Sequence, residues 1–349
     1  MAQLDTFFTR ILLQWYAENH RELPWRDTTD PYAIWLSEII LQQTRVEQGR
    51  PYWERFMAQW PTVEQLAAAS EDEVLRMWQG LGYYSRARNL HAAARQIVEW
   101  GAFPNTFSQI KQLRGVGDYT AAAIASFAFG EPVAAVDGNA FRVLSRYFGI
   151  STPINTPDGK RTFTTLAQSL LPPHQASDYN AAIMDFGATQ CTPRSPRCGE
   201  CPFVLTCEAF RTKHVEKLPV KERKIKVRAR HFIYIYVRVQ GHTIIRRRGR
   251  GDIWQGLWEP LCIEVDDAGD ILSASIDRMM AEDILHNPAC SLLYRGMKHV
   301  LTHQVITADA YLLIADSRLS LPEEYVWIAE SELDSYAKPR LVERLLDLL

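Results

Sequence analysis

The most specific chemical signal in the chain is a cluster of four cysteines within seventeen residues. The spacing is Cys-x6-Cys-x2-Cys-x5-Cys, formed by Cys191, Cys198, Cys201 and Cys207. The N-terminus carries no export signal, so we expect a reducing, cytoplasmic setting in which clustered thiols are metal ligands rather than disulfides. Four thiolates this close together can enclose either a tetrahedral zinc ion or an iron–sulfur cluster.

Two carboxylates are the candidates for acid–base chemistry. Glu38 lies in a predicted helix that starts at Pro31, where Glu38, Gln42 and Arg45 share one side. Asp137 follows an apolar run and is expected to cap a helix from residue 139 to about 147. One protonated and one ionised carboxyl group suit the cleavage of a glycosidic bond. An exposed polar stripe and a plain helix cap are the structural alternatives.

A Gly-x-Gly turn between two helical stretches is a candidate phosphate site. Gly115 and Gly117 can adopt positive φ and leave backbone N–H groups open at the start of the next helix. Such a helix N-terminus attracts phosphate through its dipole and its unsatisfied donors. A simple turn is the alternative.

The elements that position these groups fall into two regions of the chain, one predicted to be helical and one predicted to contain strands. The chain has 349 residues, which suits at least two domains, and its net charge of −2 gives no global sign of nucleic-acid binding. Residues 1–210 show helical periodicity with short Gly and Pro breaks, whereas the last ~120 residues alternate as strands do. Between them, residues 211–230 carry nine Lys or Arg and two Glu, typical of a basic tether. No apolar run approaches the ~20 residues that cross a bilayer.

The cysteine loop and the Gly-x-Gly turn together resemble the endonuclease III, or helix-hairpin-helix, superfamily of DNA glycosylases. The resemblance implies a [4Fe-4S] cluster on the four cysteines, with zinc as the alternative occupant. Members that also cleave the strand carry a lysine two residues after the second glycine, and this chain has Tyr119 there. Because a phenol cannot form an imine, the resemblance implies a monofunctional glycosylase.

Further motifs resemble the adenine DNA glycosylases. The string WLSEIILQQT around Glu38 and the string VDGNAFRVLSR around Asp137 match this family's pattern. The resemblance implies that Glu38 protonates adenine and that Asp137 stabilises or traps the oxocarbenium-like sugar. The remaining implied roles belong to residues that position the two carboxylates, line the adenine pocket or contact the DNA: Tyr119 and Asn139, Trp25 and Arg26, and Gln42 and Gln43.

A flipped adenine requires a residue that enters the base stack. The string GLGYYSRARNL resembles the family's wedge, in which Tyr83 lies against the partner base, and we expect Arg86 and Arg88 to meet backbone phosphates. Without the resemblance, this run is a helix start with a solvated face.

The C-terminal region resembles the Nudix-like domain of the same family, and the glutamate-rich box that binds magnesium in Nudix hydrolases is absent from its sequence. The resemblance therefore implies a domain that reads 8-oxoguanine and does not hydrolyse pyrophosphate. Leu301 stands where the family has an aromatic residue, followed by Thr302 and His303 as the candidate reader contacts. A strand-end histidine without a reading function is the alternative for His303.

The resulting prediction is a mainly α, helix-hairpin-helix glycosylase (a six-helix barrel plus an iron–sulfur domain) with a C-terminal α+β Nudix-like domain. The expected boundaries are residues 1–24 with 130–210 for the iron–sulfur domain, 25–129 for the barrel, 211–229 for the basic linker and 230–349 for the reader. The expected substrate is duplex DNA with adenine opposite 8-oxoguanine or guanine. The expected state is a monomer without membrane association, with a sliding clamp or a mismatch-repair protein as partner. An endonuclease III-like pyrimidine glycosylase and a catalytically silent lesion-binding module are the alternatives.

Overall fold

The computed structural model describes residues 6–222, 227–266 and 275–349. The first part of the chain is helical, as expected. Its α-helices in chain order are α1 (Thr6–Asn19), α2 (Pro31–Ile40), α3 (Val46–Gln59), α4 (Val63–Ala68), α5 (Glu71–Met77), α6 (Ser85–Trp100), α7 (Phe107–Ile110), α8 (Asp118–Phe129), α9 (Gly138–Phe148), α10 (Pro157–Leu170), α11 (Ala176–Asp185) and α12 (Glu208–Arg211).

The chain forms two compact units whose boundary differs from the expected one. The first unit comprises Met1–Ala68 and Asn89–Arg223, and the second comprises Ala69–Arg88 and Lys224–Leu349. The sequence assigns residues 69–88 to the barrel because their helical pattern continues that of their neighbours. In the structure these residues pack instead with the C-terminal strands.

The core of the helical unit forms where α1, α9, α10 and α11 pack together. Fully buried aromatic rings fill it, among them Phe8, Phe163 and Phe186. The ring centroid of Phe8 lies 5.0 Å from that of Phe203, which belongs to the cysteine loop. Apolar burial on this scale is the main favourable term in folding, so the loop that carries the cysteines is anchored by the core of the unit.

A smaller contact joins the two helices that bear the candidate active-site residues. Helices α2 and α8 pack directly on each other, and the inward side of α8 consists of small residues, Ala121 to Ala125 with one isoleucine. Small side chains let two helices approach closely, which brings α2 near the start of α8.

The C-terminal unit is a three-layer α/β/α arrangement around a mixed seven-stranded sheet. Its strands are β1 (Arg228–Val239), β2 (His242–Arg247), β3 (Trp258–Glu259), β4 (Leu261–Val265), β5 (Cys290–Val300), β6 (Gln304–Ile314) and β7 (Tyr325–Ala329). The main order is β3-β2-β1-β6-β5; β4 also pairs with β1, and β7 with β2. Strands β1 and β6 are parallel, and the other pairs are antiparallel.

Alternation along β1 builds the two faces of this sheet. Phe232 and Tyr234 pack with helix α14 (Arg340–Leu346), whereas Ile235 and Val237 pack with the side of the sheet that helix α13 (Ser275–Leu285) covers. Period-two alternation in a strand sends neighbouring side chains to opposite faces. The strand-like alternation that the sequence analysis reports for the last ~120 residues is confirmed by these strands.

Residues 211–222 are not the solvated tether that their composition suggests. Leu218 is buried, its carbonyl oxygen accepts a 3.1 Å hydrogen bond from Arg146, and Ile154 N–H donates to the carbonyl of Val220 at 3.0 Å. The first half of the basic stretch therefore packs on the helical unit. Residues 223–226 lie outside the described residues.

In the described ranges, no helix is both long enough and apolar enough to span a bilayer.

Candidate active site and cysteine loop

Helix α2 is largely buried, and Glu38 is a partly exposed residue near its end. Helix α2 begins at Pro31, as predicted, and the Asp30 carboxylate caps it by accepting the Tyr32 N–H at 3.0 Å. Residues 32–37, 39 and 40 are buried, whereas Glu38 retains some exposure. Its apolar surroundings disfavour the charged carboxylate and raise the pKa of Glu38 to about 7. A carboxylic acid that titrates near neutrality is suited to donate a proton.

The predicted stripe of Glu38, Gln42 and Arg45 is wrong, because α2 ends at Ile40. Gln43 adopts a left-handed conformation with φ 58°, and Arg45 immediately precedes the next helix, α3. Gln42 instead reaches α8, where its amide lies 3.2 Å from Thr120 Oγ1. Gln43 is exposed. The two glutamines therefore form a turn rather than a helical surface.

Tyr119 lies beside Glu38 at the start of α8. Its hydroxyl donates to Met184 Sδ at 3.8 Å. The same hydroxyl favours the ionised form of Glu38 and so opposes part of the effect of burial on the pKa of Glu38. Burial and the nearby carboxylates Glu38 and Asp137 raise the pKa of Tyr119 above its usual range. Tyr119 therefore remains a neutral hydrogen-bond donor at physiological pH.

Trp25 packs on α3, whereas its neighbour Arg26 acts on the Glu38 carboxyl group. Trp25 is buried, and its ring centroid lies 5.6 Å from that of Trp53. The Arg26 guanidinium lies over the Phe127 ring and 3.7 Å from the fully buried carboxylate of Asp185. Because Arg26 also lowers the pKa of Glu38, this cation is close enough to act on the carboxyl group.

Asp137 is both a helix cap and a second carboxylate of this site. It precedes α9, as expected, and its Oδ1 accepts the Ala140 N–H at 2.7 Å, while Oδ2 accepts from Asn139 Nδ2 at 2.6 Å. Burial raises the pKa of Asp137, and the bonds from Ala140 and Asn139 oppose that increase. Asp137 also raises the pKa of Glu38, so the two carboxyl groups interact electrostatically.

The sequence analysis did not identify a chain of hydrogen bonds that leads from Asp137 to the cysteine loop. Arg142 Nη2 donates to Asn139 Oδ1 at 2.7 Å and to the carbonyl of Gly187 at 2.6 Å, and Arg142 Nε donates to the carbonyl of Cys191 at 2.7 Å. The approach at Gly187 is so close that an added Cβ would lie 2.6 Å from Asn139 Cβ. The signal was present in VDGNAFRVLSR, whose arginines recur four residues apart on one helical face.

The second arginine of that face, Arg146, holds the cysteine loop itself. It is almost fully buried and donates to the carbonyl of Thr192 at 2.7 Å and to Cys191 Sγ at 3.4 Å. Cys191 directly follows a π-helical turn over Phe186–Gln190, and its N–H bonds back to the carbonyl of Phe186 at 2.7 Å.

All four candidate ligands line one cavity next to Arg146, together with Gln190 and Phe210. Burial is the main reason that the pKa of Cys201 rises to about 12 and that those of Cys198 and Cys207 also rise. A bound metal cation would favour the thiolate form of these cysteines. Within the described residues, no three Cys, His, Asp or Glu side chains converge to hold a single metal ion.

The two glycines of the hairpin differ in conformation. Gly115 has φ +77°, as expected, and an added Cβ would lie 2.6 Å from Asn89 Cβ. The expectation of positive φ is wrong for Gly117, which is extended (φ −96°, ψ 179°) and precedes the first residue of α8. Its position still leaves the N-terminus of α8 without a side-chain cap.

The segment with Tyr83 belongs to the C-terminal unit and differs from expectation in its arginines. Tyr83 is half exposed and left-handed, with φ 47°. Arg86 does not face solvent; its guanidinium is buried against the Trp78 ring and donates to the carbonyls of Leu81 and Gly82. Burial lowers the pKa of Arg86 to about 10. The Arg86 guanidinium therefore supports the turn beneath Tyr83, and its predicted phosphate contact stays a prediction.

Arg88 is also engaged within the protein. It is half-buried, and its Nη1 donates to the carbonyl of Gln255 at 2.5 Å. This contact joins the Tyr83 segment to the loop before β3.

Thr302 and His303 are exposed in the loop between β5 and β6. Thr302 Oγ1 lies 2.7 Å from the hydroxyl of Tyr83, so the structure brings two of the predicted contacts together. The His303 carbonyl accepts the Arg228 N–H at 2.9 Å, and Leu301 packs against the core beneath α14. The residue that replaces an aromatic ring thus anchors this loop.

Three protein-family models match the chain. Residues 36–170 match the HhH-GPD superfamily of base excision DNA repair proteins, and residues 233–348 match the NUDIX domain. Residues 191–204 match the iron–sulfur binding domain of endonuclease III, so three of the four cysteines lie inside an iron–sulfur binding motif.

Among solved structures, one similar chain is a thermostable thymine-DNA glycosylase, at 32% identity and a TM-score of 0.55. The match covers 59% of this chain and 95% of that one.

Several curated relatives are adenine DNA glycosylases. The human protein is 43% identical over 224 residues, which cover 61% of this chain but only 41% of the human one. The rat protein is 44% identical, and 42% of its length is covered, so the chain spans about two fifths of these mammalian relatives. The protein of Buchnera aphidicola subsp. Acyrthosiphon pisum is 35% identical, with 72% of this chain and 73% of the relative covered. This chain belongs to the adenine DNA glycosylase family, within the helix-hairpin-helix superfamily of base excision repair proteins.

Proposed function

We propose that the protein is a monofunctional adenine DNA glycosylase that removes adenine paired with 8-oxoguanine or guanine. The observation that carries the proposal is the pair of unlike carboxyl groups: Glu38 with a pKa of about 7, and Asp137 held by a helix N-terminus and the Asn139 amide. When two carboxyl groups lie in different environments, one can act as a proton donor and the other as an anion. In this proposal Glu38 is the proton donor and Asp137 is the anion.

The chemical steps follow from these environments. Glu38 donates its proton to a ring nitrogen of adenine, because adenine leaves poorly as an anion. As the glycosidic bond breaks, positive charge develops on the sugar, and the ionised Asp137 stabilises or traps it. The hydroxyl of Tyr119 then hydrogen-bonds to the Glu38 carboxylate, and Asn139 keeps Asp137 in its rotamer. Water completes the hydrolysis.

Tyr119 also determines what the protein does not do. A phenol cannot attack the sugar to form an imine, so the product is an intact strand with an abasic site. The uncapped N-terminus of α8 beside Gly117 offers backbone N–H donors to a DNA phosphate. Trp25 and Arg26 line the pocket that receives the flipped base.

The base opposite adenine is read by the C-terminal unit in this proposal. Tyr83, half exposed and bonded to Thr302, enters the stack beside the partner base. Thr302 and His303 supply a hydroxyl and an imidazole to the edge of 8-oxoguanine, and Gln42 and Gln43 contact the DNA from the helical unit. Partnership with a sliding clamp or a mismatch-repair protein stays a prediction.

We further propose a [4Fe-4S] cluster on Cys191, Cys198, Cys201 and Cys207. The shared cavity and the iron–sulfur motif support it. When bound, the cluster cross-links the loop through four Fe–S bonds. Arg146 contributes a hydrogen bond to Cys191 Sγ. Iron and acid-labile sulfide analysis distinguishes this cluster from zinc.

The test of the function uses labelled duplexes with adenine opposite 8-oxoguanine, guanine or thymine, and one with an oxidised pyrimidine. We expect strand cleavage only after hot alkali, at adenine opposite 8-oxoguanine or guanine, and its loss in Glu38→Gln and Asp137→Asn. Alkali-independent nicking at the oxidised pyrimidine would support the endonuclease III-like alternative. Tight binding without base loss on any duplex would support a silent lesion-binding module.

A further inference from the structure

We propose that Arg247 is a positioning residue for recognition of the base opposite adenine. Arg247 holds the Tyr83 segment, residues 69–88, against the loop of residues 248–256. We call this loop the base loop, because it lies beneath both the Tyr83 segment and the loop with Thr302 and supports them. The inference rests on the proposed function, because it concerns the same reading step. All the residues involved belong to the C-terminal unit.

Arg247 joins three groups on two segments. Its Nη2 lies 2.9 Å from Glu71 Oε1 and 3.0 Å from Asp72 Oδ1, in the first turn of α5. Its Nε donates to the carbonyl of Gly256 at 3.1 Å. Asp72 Oδ1 is buried and accepts no hydrogen bond within the described residues, so Arg247 is the cation that compensates it.

The base loop and α5 approach each other too closely to be independent. Gly256 has φ +82°, and an added Cβ would lie 3.3 Å from Leu75 Cδ1 and 3.4 Å from Glu71 Oε1. One residue earlier, the Gln255 carbonyl accepts the hydrogen bond from Arg88. The base loop therefore contacts the Tyr83 segment both before and after Tyr83.

The same base loop is linked to both ends of the Thr302 loop, directly on the β5 side and through Arg230 of β1 on the β6 side. On the β5 side, the ring centroids of Trp254 and His299 are 5.6 Å apart. On the β6 side, Arg230 donates to Asp252 at 2.7 Å and to Gln304 Oε1 at 3.1 Å. Residues 299 and 304 flank Thr302, so the loop is supported from both directions.

The base loop stabilises the arrangement of Tyr83 and Thr302, whose side chains share an exposed hydrogen bond. A single exposed hydrogen bond adds little net stability, because water competes for both groups. The base loop fixes the two segments on either side of this bond, and Arg247 is the charged link on the Tyr83 side. Preorganisation of this kind lowers the cost of binding a ligand.

The experiment measures the affinity of the full chain for two duplexes that contain an uncleavable adenine analogue, opposite either 8-oxoguanine or guanine. We expect Arg247→Ala to reduce the preference for 8-oxoguanine about two- to fivefold, the range for a partly exposed ion pair. The double variant Arg247→Ala, Tyr83→Phe should show the same preference for 8-oxoguanine as Arg247→Ala alone, because both substitutions disturb the same arrangement. Arg250→Ala is the matched control, since it removes an exposed charge from the same arginine run.

Equal weakening on both duplexes, with the preference intact, would overturn the proposal and make Arg247 a simple DNA contact. Full additivity with Tyr83→Phe would also overturn it. If Arg247→Ala unfolds, the double variant Glu71→Gln, Asp72→Asn breaks the same contact from the other side and should reproduce the loss of preference. Failure of the proposed function is separate, because the unmodified chain would then leave adenine in place on cleavable duplexes.

Discussion

The side chains of Asp137 and Asn139 form one hydrogen-bonded pair, with Asn139 Nδ2 donating to Asp137 Oδ2 at 2.6 Å. Arg142 Nη2 donates to the other end of the same amide at 2.7 Å and also reaches the carbonyl of Gly187. The orientation of the Asn139 amide is thereby fixed, because its oxygen faces a cation and its nitrogen faces a carboxylate. The rotamer of Asp137 thus depends on a residue that does not touch it.

Replacing Arg142 by Gln should weaken this site without changing either carboxylate. The variant loses the guanidinium bonds to Asn139, Gly187 and Cys191 and leaves buried acceptors unpaired, so we expect a loss of about 2–4 kcal/mol in the free energy of unfolding. Urea unfolding measures it, and the excision rate should fall as well. The exposed Arg161 on α10 provides the control, since Arg161→Gln should change stability by less than about 0.5 kcal/mol. Equal stabilities of the two variants would contradict the role of Arg142.

Excision should slow as the pH rises through about 7, because the proposed proton donor, Glu38, has a pKa of about 7. Single-turnover rates at several pH values test this, and a rate that rises through the same range would contradict it.

The stability of the folded chain should depend on Glu38 in the opposite sense to that of an ion-paired carboxylate. Its folded pKa lies above the ordinary value of 4.5, so the folded state binds the proton more tightly, and stability falls as the pH rises from about 4.5 to 7. Glu38→Gln removes this penalty and should stabilise the protein by about 1–3 kcal/mol above pH 7. Urea unfolding at pH 5 and 8 measures it, and the exposed Glu54→Gln serves as the control.

Tyr119→Phe should move the alkaline limb of the rate profile to higher pH. The Tyr119 hydroxyl lowers the pKa of Glu38, so its removal raises that pKa while the ring still fills its place. The pH at which the single-turnover rate is half-maximal gives the shift. A shift to lower pH would show that Tyr119 does not act on Glu38 through this bond.

Arg86→Ala should lower stability without changing the salt dependence of DNA binding. A phosphate contact would change the slope of log K against log salt by about one, whereas the buried Arg86 guanidinium bonds to the carbonyls of Leu81 and Gly82. Fluorescence titrations at several salt concentrations measure the slope, and a reduced slope would restore Arg86 as a DNA contact.

The sequence was most informative where a signal is local. Pro31 at the start of α2 and Asp137 at the start of α9 were predicted correctly, because capping involves residues within one turn. The end of α2 was not predicted, since it depends on the left-handed Gln43 and on the bond from Gln42 to Thr120 in another helix.

Long-range contacts account for the other differences. Arg86 turns inward because the Trp78 ring lies beside it, and its spacing in the sequence carries no sign of that direction. The packing of residues 69–88 with the C-terminal strands depends on partners such as Arg247 and Glu71, which are 176 positions apart. The resemblance identified the carboxylates and cysteines, whereas the link from Asp137 through Asn139 and Arg142 to Cys191 emerges only from the folded structure.

The π-helical turn over Phe186–Gln190 accommodates one residue more than an α-helical turn. The Cys191 N–H therefore bonds to the carbonyl of Phe186, five residues back, whereas an α-helix would use the carbonyl four residues back. Deleting one residue within this segment would let the turn close as a regular α-helix, with the cysteine N–H still bonded to the Phe186 carbonyl. Both turns complete about one revolution, so the cysteine would leave the helix in nearly the same direction, beside Arg146. The helix that precedes the cysteine loop can thus change its length by one residue without redirecting the loop.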